Sequence, residues 1–213
     1  MTEAKNLRPP RPAETRTARV IFYVFSFLFG YVLMAFEMLG SRYLYPYFGS
    51  GLNTWAALIS VVLFALMVGY FFGGQLADIM PDQRVLAGIL FLASAYLLLI
   101  PTLADNSFIY IIDFFGDGVG GALAASTVLL ATPLILLSVL SPFAVRLLVQ
   151  DREHAGRTSG LVYAVSTLGN IAGVLITSLY LIPLMGTRAI NLMLGAVSII
   201  LSVLLFFVPR LRW

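Results

Sequence analysis

The sequence predicts an all-α, polytopic membrane bundle of six helices, and three observations predict it. Of 213 residues, 60% are hydrophobic and 11% are charged, against roughly 25% charged in an average soluble domain; mean hydropathy is +0.96. The apolar residues fall in six runs, each near the roughly 20 residues that carry a helix across a bilayer core. The bases between those runs sort to one side. A soluble chain of this composition would lack a polar coat, so a lipid bilayer is the expected surrounding.

Residues 1–18 are polar, hold Pro9, Pro10 and Pro12, and carry Lys5, Arg8, Arg11 and Arg16. They read as a disordered basic tail. The apolar run that follows is too long for a signal peptide and ends in no small-residue cleavage pattern. Residues 19–213 read as the membrane domain. Its spans are expected near Val20–Leu39, Trp55–Ala77, Val85–Ala104, Gly121–Val145, Leu161–Leu181 and Ala189–Val208. Six spans put both termini on one side. That side carries Lys5, Arg8, Arg11, Arg16, Arg19, Arg84, Arg146, Arg152, Arg157, Arg210 and Arg212, and the other carries Arg42 and Arg188. By the positive-inside rule both termini are expected in the cytoplasm, with the chain in a bacterial inner membrane.

The first outer loop, residues 39–54, brings Tyr43, Tyr45, Tyr47 and Phe48 to the membrane–water boundary, with Trp55 behind them. Such rings favour that depth. The second, residues 106–118, is expected to hold a short interfacial helix that Ser107 caps and Gly116 ends. It carries Asp113 and Asp117. Pro133 and Pro142 interrupt the fourth span, and Ser138 or Thr132 stands near to satisfy a freed carbonyl. The fifth span is rich in small residues, with Gly156, Gly160 and Ala164 ahead of Gly169 and Gly173, and reads as a central packing helix. Spans two and five, the middle helices of each group of three, both hold a GxxxG pair, Gly69–Gly73 and Gly169–Gly173. A three-plus-three inverted repeat predicts that correspondence.

Several chemistries lack raw material. There is no cysteine, and the one histidine, His154, lies in a charged loop. No metal site, no cofactor and no catalytic apparatus is expected, so the chain does not read as an enzyme. The basic tail is short and lies beside a membrane, which points to anionic headgroups rather than nucleic acid.

A few polar residues remain as candidates. Glu37 falls near the outer end of the first span, and a charge at a span's centre costs roughly 2.5–3.5 kcal/mol on insertion scales. It reads either as a cation or proton site at the outer mouth or as a structural ion pair with Arg42. Asp113 and Asp117, with Tyr43 and Tyr45, either attract an organic cation such as a polyamine or form an ordinary interfacial girdle. Asn170, between Gly169 and Gly173, reads as an interhelical hydrogen-bonding group.

Gly74-Gln-Leu-Ala-Asp78, with Arg84 beyond it, resembles the loop between helices two and three of the major facilitator superfamily. Four further stretches extend the likeness: Glu37-Met-Leu-Gly-Ser-Arg42, Pro46-Tyr-Phe-Gly-Ser-Gly-Leu52, Ser141-Pro142-Phe-Ala-Val-Arg146, and Gly156 through Gly186-Thr187. With Gly69–Asp78, they make the chain similar to the membrane module of the spermidine-synthase-like family. There a facilitator-like domain is joined to an aminopropyltransferase-like one. The glycine-rich nucleotide loop and the acidic site of such a transferase are not in this sequence. The resemblance therefore implies a half-sized, facilitator-like bundle without synthase activity. It also implies that helices two and four are neighbours, so that Asp78 and Arg146 approach each other as a gate or a static clamp. Two functions are expected: a half-transporter that dimerises to twelve helices, or a non-catalytic membrane subunit docked to a larger complex or a separate enzyme.

Overall fold

An apolar run continues as helix until glycine or a polar turn stops it, and this chain has few such stops. A computed structural model describes residues 12–149 and 152–208. No strand occurs among them. Six helices are long and apolar enough to cross a membrane: Arg19–Phe48, Leu52–Ile79, Gln83–Phe115, Val119–Leu148, Ala155–Leu184 and Thr187–Phe207. The expected number of spans is present, and most are longer than the sequence runs suggest. The helix of the first span starts at Pro12, so residues 12–18 of the expected tail are helical; residues 1–11 lie outside the described residues.

Successive spans alternate in direction, so Pro12 and Val208 lie at one end of the bundle, here the near end, opposite a far end. The near end is tied by the Gln83 amide, which donates to the Val208 carbonyl, and by the Arg84 guanidinium 5.1 Å above the Phe206 ring. The Asp82 carboxylate accepts from the Arg84 amide at 2.8 Å and starts the third helix.

The first helix has 37 residues and the third 33, about 55 and 50 Å at 1.5 Å per residue. Both exceed a hydrocarbon core of roughly 30 Å. Their far tips pack on each other, with Phe108 edge-on to Tyr47 at 5.2 Å and to Phe48 at 6.3 Å. This corrects the expected short helix capped by Ser107. The third helix runs unbroken through Ser107 because buried Ala104 and Phe108 hold its face against the bundle. Gly116 does end it, in a left-handed conformation (φ 74°) that suits glycine.

Close backbone approach organises the interior. A Cβ on Gly69 would strike Ser138 Oγ and the Ile135 carbonyl of the fourth span. A Cβ on Gly169 or Gly173 would strike the Phe27 or Tyr31 carbonyl of the first. So spans two and four pack together, as do spans five and one and spans three and six. The fifth span is not central. Only 17% of its most apolar stretch is buried, against 39% to 61% in the others. Its Gly169 face seats on the first helix, while Gly156 and Gly160 meet open space.

Two prolines, Pro133 and Pro183, are absorbed by a change of helix register, whereas Pro142 lies in the α-helical last part of the fourth span. Thr127–Ala131 and Thr177–Leu181 are π-turns, six residues ahead of Pro133 and Pro183. In that register the Val128 carbonyl would need an amide hydrogen from Pro133, which has none. The Tyr96 hydroxyl of the third helix donates to it instead, at 2.9 Å. Of the expected helpers, Ser138 acts elsewhere: its Oγ donates to the Ile135 carbonyl. Removing the Tyr96 hydroxyl (Tyr96→Phe) is expected to cost about 1 kcal/mol, read as a lowered unfolding midpoint in detergent. Tyr110→Phe, on an exposed ring, leaves the midpoint unchanged. In the same measurement Gly169→Leu abolishes folded protein, whereas Gly160→Leu is tolerated.

Candidate functional site

Polar groups inside an apolar bundle are the residues with work to explain. They occur at three depths. Nearest the chain ends, Asp78 closes the second helix and Arg146 lies in the last turn of the fourth. Gly73 seats on Val139 and Pro142, and that close crossing brings the two charges together. Arg146 Nε donates to Asp78 Oδ1 at 2.9 Å. Their side chains remain 49% and 73% exposed, so solvent screens the pair.

Midway along the spans is a small cavity of about 30 Å³ between spans one, two, four and five, the room of about one water molecule. Ser138, Ser141, Ser166, Asn170 and Tyr70 line it. Gly30 makes the space: its missing Cβ would lie against the Ser166 carbonyl and Asn170 Oδ1. The expected interhelical hydrogen bond of Asn170 is not formed; its buried Oδ1 takes no hydrogen bond among the described residues.

At the far end a pocket of about 380 Å³ opens between the first helix, the start of the second and the end of the fifth. Its walls include Ser41, Arg42, Tyr45, Trp55 and Ser178. Glu37 stands between the two spaces along the first helix. Gly30, Met34, Glu37 and Ser41 follow one another at steps of four, three and four, which places them on one helical stripe. Gly30 and Met34 border the central cavity and Ser41 the far pocket.

The expected ion pair between Glu37 and Arg42 does not form. Neither residue is in an ion pair among the described residues, whereas Asp78 pairs with Arg146 and Asp105 with Arg188. The reason is geometric: the first helix continues through Phe48, and five residues turn a helix by about 140° beyond a full turn. Glu37 and Arg42 therefore point to different faces. The expected carboxylate–tyrosine cluster is also dispersed. Tyr45 lines the far pocket, while Tyr43 is buried on the other side, within electrostatic reach of Arg188 and Asp105. Asp113 is exposed at the overhanging tip of the third helix and Asp117 in the turn after it, and they border neither space.

Three contributors were missed in the sequence. Tyr70 and Ser166 read as ordinary span residues, and only packing brings them to the cavity. The Asp105–Arg188 pair joins the third and sixth helices at the far end. Its signal was available, since an acid and a base fall where those two spans approach their outer boundary.

Reversing the near-end pair tests its geometry. Asp78→Arg or Arg146→Asp alone should destabilise the protein, and the double exchange should recover most of the loss. The expected coupling is about 0.2–1 kcal/mol, as for exposed pairs, read from unfolding midpoints of the four proteins.

No family model, curated protein or solved structure matches the chain.

Proposed function

We propose that this chain is a transport-related membrane module, half the size of a facilitator, that works as an oligomer and catalyses nothing itself. The observation that carries the reading is the polar seam along the first helix: far pocket, Glu37, central cavity, and then the Asp78–Arg146 pair. A seam wide at one end and clamped at the other has the form of an outward-facing state. On this reading the near end is cytoplasmic, in agreement with the basic residues there.

The packing supports a three-plus-three inverted repeat. An exchange of spans 1–3 with spans 4–6 sends the pair two–four onto five–one, and three–six onto itself. All three packings occur, and the first two both run through a GxxxG pair. An inverted repeat allows one half to rock against the other around a fixed site. That motion, the relation of Asp78 to Gly74-Gln-Leu-Ala, and the half-size bundle suit the facilitator-like and spermidine-synthase-like resemblance. The polyamine reading gains less, because Asp113 and Asp117 border neither space.

The sparse burial of the fifth span supports an oligomer. Gly156, Gly160 and Ala164 leave a smooth exposed strip where a second bundle can approach closely. The same strip suits a second reading, a membrane subunit docked to a larger complex.

The cysteine-free chain allows a direct test of the seam. Ser166→Cys, in sealed vesicles of either orientation, should react with an impermeant maleimide from the Arg42 side. Combined with Asp78→Asn and Arg146→Gln, it should also react from the other side, and Glu37→Gln should slow the reaction without loss of folded protein. Reaction from neither side in either background would sink the transport reading. The mass of the gently extracted protein separates the two assemblies: a homodimer fits the half-transporter, and stoichiometric foreign chains make it a subunit.

A further inference from the structure

We infer that the far-end pocket binds the oxyanion group, carboxylate or phosphate, of a small organic molecule, with Arg42 as its anchor. The pocket is about 380 Å³, within the roughly 300–1,000 Å³ of small-molecule sites. Its lining holds one full charge, the Arg42 guanidinium, and no carboxylate. Arg42 has no hydrogen bond or ion pair among the described residues. Every acid of the far end is otherwise placed. Asp105 is engaged by Arg188, Asp113 sits on the third helix tip and Asp117 in the turn after it, and Glu37, one turn nearer the central cavity than Ser41, is not in the pocket's lining.

The backbone around the pocket is mixed in sign, since the first helix ends there, where Tyr45 and Gly49 line it, and a helix C-terminus carries partial negative charge. The second helix, 28 residues long, starts at the pocket wall, where Gly51 gives it no side-chain cap. Ser50, Thr54 and Trp55 around that start line the pocket. The unsatisfied amides of a helix N-terminus carry about half a positive charge. The Thr54 and Trp55 amides donate to the Gly51 carbonyl, so it is the full charge of Arg42 that makes this space favour an anion and penalise a cation. Arg42 offers the planar, forked donors that grip a carboxylate or phosphate by two hydrogen bonds. Tyr45, Trp55 and Met38 form apolar and aromatic walls, so the group should carry an organic body. Hydroxyls of Ser50 and Ser178 complete the lining.

The inference deepens the transport reading by naming the chemistry that the far mouth accepts. Binding is measured without flux, so either can fail alone. Two sources supply this chemistry: a soluble organic acid and the headgroup of an anionic lipid.

Trp55 is a built-in reporter, because Trp213 is the only other tryptophan and is replaced in a Trp213→Phe background. In nanodiscs of neutral phosphatidylcholine, benzoate should change Trp55 fluorescence saturably. Arg42→Gln should weaken its apparent affinity by about tenfold or more, Arg42→Lys by less, and Asp113→Asn should leave it unchanged. Nanodiscs containing phosphatidylglycerol form the second arm. If they abolish the benzoate response in the wild type, the headgroup holds the pocket; if they leave it, the soluble acid does. A benzoate response equal in wild type and Arg42→Gln would overturn the proposal. So would no Arg42-dependent response in either arm, or a saturable response to spermidine tighter than to benzoate. Far-ultraviolet circular dichroism of each variant confirms that the bundle is intact.

Discussion

In hydrocarbon, apolar surface gives little net reward for helix association, so close backbone contact has to hold the bundle. Four glycines provide it. Gly69 and Gly73 let the second helix reach the backbone of the fourth, and Gly169 and Gly173 let the fifth reach the first. The polar seam lies in the volume these approaches leave. Ser138 faces Gly69, and Ser166 and Asn170 face Gly30. Larger residues at these positions would separate the helices and open the seam to lipid. The Asp78–Arg146 contact depends on the same geometry, since Gly73 against Val139 and Pro142 brings the near ends of spans two and four together.

The second constraint is that each backbone carbonyl in a bilayer needs a donor. Pro133 breaks that rule locally, and the chain answers with a π-turn and the Tyr96 hydroxyl. Pro183 repeats the break in the fifth span, again with a π-turn ahead of it. In the second case Ser178, whose carbonyl loses its donor to the proline, sits at the wall of the far pocket. No side chain donates to that carbonyl among the described residues. Relaxed helix geometry thus falls beside the larger cavity.

Much of this was legible in the sequence. Hydropathy gave the number of spans, because a run of twenty apolar residues has few alternatives. The glycine pairs marked the close packings, and the expected meeting of Asp78 and Arg146 came from the facilitator resemblance, which makes helices two and four neighbours. What was not legible depended on rotation about helix axes. Arg42 and Glu37 look like partners when five residues are read as nearness, and only a continuous helix through Pro46 sends them apart. Ser107 looks like a cap when a polar segment is read as a loop, yet Phe108 keeps it helical by packing on Tyr47 and Phe48. The fifth span looks central because it is rich in glycine, but two of those glycines face open space. Small residues mark where a partner can approach, and the sequence does not say whether that partner lies in the same chain.

The near-end pair has the right strength for a switch on the transport reading. A deeply buried ion pair would lock the bundle, because separating it would leave charges in a low dielectric. The side chains of Arg146 and Asp78 are 49% and 73% exposed, so water replaces each partner when the ends separate. An exposed pair contributes about 0.2–1 kcal/mol, which at most biases an open–closed equilibrium about fivefold. The rest of the closure is the seating of Gly73 on Val139 and Pro142, a contact between surfaces without polar groups to strand. A ligand in the far pocket can shift such an equilibrium only through a difference in affinity between the two states. Arg42 and the start of the second helix belong to different elements of one wall, so their spacing changes whenever the second helix moves. On the transport reading, Arg42 therefore faces the start of the element whose other end, at Asp78, takes part in the near-end contact.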